Sequence, residues 1–173
     1  MTIKFNQSMR NIVIGSGIMV ILSDVIRAPG SFDPVDTITG KAGITIWSGS
    51  QPTAANIITN WTSYNSSFLC HWQDVVLIQS NSYLAGIGAS ITLSSAGSTT
   101  AINSGTAGWG IIWPSNPSQS QVSNTSITST KFIVVSVSEI GLGGVIMLDD
   151  TSIITGNTYD ISDVIILTSG GSN

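Results

Sequence analysis

Charge is the first thing this sequence lacks. Asp, Glu, Lys and Arg make up 8% of its 173 residues, against about 25% in an ordinary soluble domain. None of them falls between Asp74 and Lys131. Disorder would require low hydrophobicity as well, and 42% apolar residues argue against it. The exterior must then be built from Ser, Thr, Asn, Gln and Gly, a surface with little charge repulsion to hold copies apart. It suits a subunit of an assembly and equally a polar secreted domain. A net charge of −4 and a pI near 4.4 leave no basic footprint for nucleic acid.

Cysteine and histidine occur once each. A single Cys rules out an intrachain disulfide framework, and one Cys with one His falls short of the roughly four ligands of a structural zinc site. Cys70 and His71 are neighbours, and on a strand neighbouring side chains point to opposite faces. A Cys-His dyad made from these neighbours is therefore not expected. Cys70 is expected in the core and His71 on the surface or at an interface, where a zinc or nickel ion shared between symmetry-related His71 side chains is an option that no other feature supports. A serine nucleophile would have to use His71 as its base, and no Gly-x-Ser-x-Gly elbow is present. Long apolar runs are missing too. Ile12 to Leu22 is interrupted by Gly15, Ser16 and Gly17 and is shorter than the roughly 20 residues of a membrane span. With Lys4 and Arg10 ahead it has the outline of a secretory signal, but no clean cleavage site follows. It is read as a structural helix, with no membrane partner.

What is present is strand signal. Ile44-Thr45-Ile46-Trp47 is rich in branched and aromatic side chains that fit a pleated surface. Ser48-Gly49-Ser50 and Pro52 end it. Ahead of it, residues 1–10 read as an extended arm, with Asn6 or Ser8 as helix caps. Ile18, Leu22, Val25 and Ile26 then keep helical spacing, Gly15 and Gly17 divide the helix, and Ala28 to Pro34 is punctuation. Beyond Pro52, residues 53–67 read as a long loop or weak strand. Phe68 to Ile78 reads as a strand pair or one bent strand, with Asp74 to Gln79 buried on both faces. Ile91 and Leu93 mark an edge strand. Trp109, Ile111 and Trp113 share one strand face, and residues 115–130 form a polar surface loop. Val135 and Val137 alternate with serines, and Thr155-Gly156-Asn157 is a hairpin-type turn.

Six to nine short strands without βαβ alternation predict a mainly β protein: an antiparallel β-sandwich, a jelly roll or a small barrel. Two units are expected, an N-terminal arm with a short helix over 1–42 and the β-sandwich domain over 43–173.

Three further patterns bear on chemistry. Gly141-Leu142-Gly143-Gly144 has a faint likeness to a phosphate loop but lacks the following Lys-Ser/Thr, so it reads as a strand connection. Asp149, Asp150, Asp160 and Asp163 are the only acidic cluster; ion binding and paired-acid hydrolysis both need such groups, and solvated turn acids explain them as well. Of the five tryptophans, Trp47, Trp109 and Trp113 read as core or interface anchors. Trp61 and Trp72 lie in more polar surroundings and are the candidates for a ligand face.

Some stretches are specific. Ile3 to Asn11, Ile44-Thr45-Ile46-Trp47-Ser48-Gly49-Ser50-Gln51-Pro52, Ser104-Gly105-Thr106-Ala107-Gly108-Trp109 and Val145 to Gly156 occur in an order that resembles a group of small tailed-bacteriophage virion proteins. Their hallmark is an Ile-x-Ile-Tyr-Ser-Gly-x-Gln-Pro strand and turn; Trp47 stands here in place of Tyr, and Thr53 to Asn103 departs freely. The resemblance implies a structural component of the particle and carries no catalytic residues. The expectation is a non-enzymatic capsid decoration (cement) protein located in the virion, without cofactors, contacting the major capsid protein and forming a homo-oligomer, with a trimer as first guess. Ile3, Phe5, Met9, Ile12 and Ile18 are its expected assembly contacts. The alternative is a neck, tail or fibre-associated protein that binds a receptor or glycan through Trp61 and Trp72.

Overall fold

A computed structural model describes residues 38–80, 90–113 and 132–167. These form ten strands and one short helical segment. In chain order they are β1 (Ile38–Ser48), α1 (Ala54–Asn60) running into a 3-10 turn (Trp61–Ser67), β2 (Phe68–Ser80), β3 (Ser90–Ser95), β4 (Thr99–Thr100) and β5 (Gly105–Trp113). β6 (Ile133–Glu139), β7 (Ile146–Leu148), β8 (Ser152–Ile153), β9 (Thr158–Tyr159) and β10 (Asp163–Leu167) follow. The protein is mainly β, and seven strands close on themselves in the order β1-β2-β3-β10-β7-β6-β5, with β5 pairing back to β1. The result is a barrel rather than two stacked sheets. Closure removes the open edges that a sandwich leaves, so β3, read as an edge strand, lies between β2 and β10.

β1 is the axis of the packing. Every residue from Ala42 to Trp47 is buried, because β1 is covered on both faces. Ala42, Ile44 and Ile46 point into the barrel with Leu77, Ile91, Ile112, Ile146 and Val164. Trp47 points outward, into a second cluster with Ile57, Trp61, Phe68, Trp109, Ile111 and Trp113. β1 also begins at Ile38, five residues inside the segment read as the arm. Those residues pair with Val75 to Gln79, which gives the apolar end of β2 its partner. β2 itself is one bent strand. It alternates there, with Val75 and Leu77 buried and Val76 and Ile78 half-buried; continuous burial on both faces belongs instead to Ala42–Trp47 of β1, Phe68–Trp72 of β2 and Trp109–Trp113 of β5.

Two irregularities bend β2. Opposite Gly43, two residues of β2 face one of β1, and Asp74 takes a left-handed φ of 52°, a bulge conformation that Asp tolerates better than most residues. The second lies between Ile46↔Cys70 and Trp47↔Phe68. There the extra residue puts Leu69 and Cys70 both into the barrel cluster while Phe68 joins the outer one.

Residues 54–67 are helical, where a loop or weak strand was expected. Thr53 caps α1, its Oγ1 accepting from the Asn56 N–H at 3.3 Å. Ile57 and Trp61, four residues apart and so on one helical face, are buried in the outer cluster, while Ala55, Asn56, Thr59 and Asn60 stay exposed. The segment is a lid over the tryptophans. Helical spacing was in the sequence, carried by Ile57 and Trp61 and continued by the half-buried Tyr64, which packs against the same cluster.

β6 and β7 are the one parallel pair among the described residues. Parallel neighbours ordinarily need a crossover of about a dozen residues, and only Ile140 to Val145 connect these two. The link folds back on β6: the Gly144 N–H donates to Ser138 Oγ at 2.8 Å and the Val145 N–H to the Ser136 carbonyl at 3.1 Å. A Cβ on Gly144 would lie 2.8 Å from the Ser138 nitrogen, and Gly141 and Gly143 adopt φ of +83°. Those three glycines serve this turn, which accounts for Gly141-Leu142-Gly143-Gly144 as a strand connection. Thr155-Gly156-Asn157 is a turn as well, closed by the Asn157 N–H on the Ile154 carbonyl. It does not make a hairpin, since β8 pairs with β5 and β9 with β4.

Candidate functional site

Three of the four stretches singled out for their resemblance meet around β5; the fourth, Ile3 to Asn11, lies outside the described residues. Trp47 and Trp109 are cross-strand partners, with rings 4.6 Å apart and 11° from parallel. Trp109 Nε1 donates to the Ser48 carbonyl at 3.2 Å. At the same point β5 carries an extra residue, Gly108, and a Cβ there would sit 2.0 Å from the Gly49 carbonyl oxygen. From the other side, Ser152 and Ile153 pair with Thr106 and Gly105, and the Ala107 N–H donates to the Thr151 carbonyl at 2.8 Å. Ile44–Pro52, Ser104–Trp109 and Val145–Gly156 are thus three sides of one packed unit. The expected assembly contacts Ile3, Phe5, Met9, Ile12 and Ile18 lie outside the described residues.

The two tryptophans proposed for a ligand face are not on the surface. Trp61 is 7% exposed and meets the edges of Trp47 and Trp113 at 5.6 and 5.7 Å. Trp72 is 1% exposed inside the barrel, and its Nε1 donates to the Tyr159 carbonyl at 3.1 Å. Polar sequence neighbours misled here, because on a strand or helix the neighbours of a buried residue are the ones that face water. Neither ring offers a stacking platform.

Cys70 and His71 point to opposite faces, as the alternation requires. Cys70 is in the barrel interior, where burial pushes its thiol pKa up strongly, so it is not a thiolate nucleophile at neutral pH. His71 is 3% exposed, which corrects the expectation of a surface or interface side chain and removes the metal site shared between copies. It is held on the outer face of the barrel in a polar chain: Trp113 Nε1 donates to Thr45 Oγ1 at 2.9 Å, and Thr45 Oγ1 lies 2.7 Å from His71 Nδ1. A buried hydroxyl between a donor and a ring nitrogen is satisfied on both sides. A polar cavity of about 300 Å³ borders it, lined by His71, Gln73, Gly97, Ser98 and Thr99.

The acidic residues are brought together in part. Asp149, Asp150 and Asp160 line a cavity of about 240 Å³ with Tyr159, whereas the Asp163 carboxylate accepts from the Val164 N–H at 2.7 Å. Asp150 accepts from the Ser152 N–H and Asp149 from Ser162 Oγ, both at 2.7 Å. These are turn-stabilising roles. Among the described residues no group of three or more His, Cys, Asp or Glu is arranged to hold a metal ion, and no helix is long and apolar enough to cross a membrane.

One feature went unread in the sequence. Ile102, Ile140, Leu142 and Ile154 are exposed. Each sits in or beside a turn, and an apolar residue flanked by turn-forming Gly, Asn or Thr is the signal that would have found them.

Comparison with protein-family models, with curated proteins and with solved structures finds no match for this chain.

Proposed function

We propose that this protein is a non-enzymatic structural component of a tailed-bacteriophage particle, a decoration protein on the capsid surface that reinforces the shell. The observation that supports this reading is the convergence on β5. Three of the four stretches that resemble virion proteins are spent on packing one another, through the Trp47–Trp109 stack, the Gly108–Gly49 contact and the β5–β8 pairing. They act as a structural signature rather than as a ring of groups around a cavity. An exterior poor in charge supports it from another side, since packing against neighbours then desolvates few ions.

In this reading the major capsid protein is the partner, and the protein is a homo-oligomer, a trimer in the simplest arrangement. Its copy number, measured on purified particles by quantitative mass spectrometry, is expected to keep a fixed simple ratio to the major capsid protein. A few copies per particle would instead place it at the neck or tail. Absence from particles would overturn the reading altogether. A receptor- or glycan-binding role on a neck, tail or fibre would have to use a surface other than Trp61 and Trp72.

A further inference from the structure

All four large hydrophobic side chains that are exposed among the described residues lie at one end of the barrel. Strand direction places them there: β1, β6 and β7 end at this rim, and β2 and β5 begin at it. Ile102 sits in the link into β5, Ile140 and Leu142 follow β6, and Ile154 follows β8, which is paired to the start of β5. Their exposures are 43%, 59%, 73% and 55%. One such side chain is ordinary; four on one rim mark a contact surface. The link that carries Ile140 and Leu142 also borders an open cavity of about 370 Å³, lined by Gly143, Gly144, Val145, Met147 and Ile165.

The same rim is acidic. Glu139, Asp149, Asp150 and Asp160 are exposed at or near it, and Lys41, the only Lys or Arg among the described residues, is paired with Val76 toward the other end of β1. What covers this rim must therefore be apolar and basic. The chain's own sequence contains such a segment. Residues 1–27 hold Ile3, Phe5, Met9, Ile12 and Ile18, with Lys4, Arg10 and Arg27 against the single acid Asp24.

We infer that the rim bearing Ile140, Leu142 and Ile154 receives residues 1–27 of a second copy of this chain. The donor assigned is a neighbour, since each chain enters its own barrel at Ile38, the far end of β1. Its own segment would have to return along the full strand, about 35 Å at roughly 3.3 Å per residue, which residues 28–37 span only when drawn out nearly straight. Docking onto a neighbour needs no such extension and joins copies head to tail or in a ring. This inference deepens the reading of the protein as an assembly subunit.

The test uses the full chain, half of it isotopically heavy, with a photoreactive benzophenone amino acid placed at Leu142. Expected are cross-linked peptides of mixed isotope that join position 142 to residues 1–27. Their yield should fall several-fold in about 1 M salt, where the Debye length is about 3 Å, and in the Phe5→Ser and Met9→Ser variants. Cross-links of a single isotope only would mean docking within one chain and would overturn the inference. So would cross-links to another part of the second copy, or none. Circular dichroism of each variant checks that the barrel is folded. The copy-number measurement on particles is independent, so the rim and the virion reading can fail separately.

Discussion

The two faces of β1 have solved the same problem with different chemistry. Inside the barrel the packing is aliphatic around a single tryptophan, Trp72: Ala42, Ile44 and Ile46 meet Leu77, Ile112, Ile146 and Val164. Outside, four of the five tryptophans are gathered with Phe68 under the α1 lid, and Thr45, His71 and Trp113 share a buried polar chain. Closure of a seven-strand ring leaves an interior that compact branched side chains can fill. The outer face has no opposing sheet, so it is closed by large flat rings, two of which, Trp109 and Trp113, donate their N–H groups to polar atoms of β1. The contrast implies that the outer cluster is as much a core as the inner one. If it is, disrupting either should unfold the same unit.

The largest effects are therefore expected from both sides at once. Trp47→Ala and Trp109→Ala should each cost about 3–5 kcal/mol, in the range of buried aromatic truncations, and Ile46→Ala about 2–5 kcal/mol. Because the Trp47 and Trp109 rings stack at 4.6 Å, the double variant should fall short of additivity by about 0.5–1.5 kcal/mol. Urea unfolding followed by tryptophan fluorescence and by circular dichroism gives all of these values. Tryptophan losses below about 1 kcal/mol would reduce the outer cluster to surface decoration.

A smaller effect probes how the clusters are joined. Gly108→Ala drives a methyl into the Gly49 carbonyl at 2.0 Å, and backbone against backbone has little room to give. A loss of about 1–3 kcal/mol is expected, as for other overpacked sites. Gly97, whose Cβ would meet nothing within 4 Å, is the control, with Gly97→Ala expected within about 0.5 kcal/mol of the parent. Equal effects at the two positions would mean that the β1–β5 contact yields freely.

Thr45→Val comes next. It keeps the shape but removes the oxygen that accepts from Trp113 and contacts His71. Leaving a buried donor without its acceptor costs about 1–3 kcal/mol. Thr45→Ser keeps the hydroxyl and should recover most of the loss. If Val and Ser behave alike in thermal unfolding, the polar chain contributes only by filling space.

The sequence made part of this comparison visible. Alternation put Trp109, Ile111 and Trp113 on one face, and strand chemistry at Ile44 to Trp47 located the first barrel strand, though not its start at Ile38. Ring closure was not legible, because it depends on β5 meeting β1 across 61 residues of chain between Trp47 and Trp109, and no local pattern encodes that pairing. Nor was the bulge that turns both Leu69 and Cys70 inward, since period-2 reasoning assigns neighbours to opposite faces. The burial of Trp61, Trp72 and His71 was missed for a related reason. In a chain with so few charges, polar neighbours no longer distinguish a surface residue from a strand residue with its back to the core.

The smallest expected effect at neutral pH separates the two faces by their response to alkali. Cys70 lies in the barrel interior, and burial raises its thiol pKa well above the ordinary value. In the unfolded chain the thiol loses its proton above about pH 8.5, while the folded chain retains it. The unfolded state then binds fewer protons than the native one, so stability is unaffected below that pH and falls as pH rises above it, by about 1.4 kcal/mol per unit. Cys70→Ala should remove this alkaline contribution without touching the outer cluster, and Thr45→Val should leave the slope unchanged. Urea midpoints measured from pH 7 to pH 10 give both slopes, together with the rate at which a thiol reagent labels the native protein. Fast labelling at pH 8, or a Cys70→Ala slope equal to the parent's, would show that water reaches the barrel interior and that the outer face is the drier of the two.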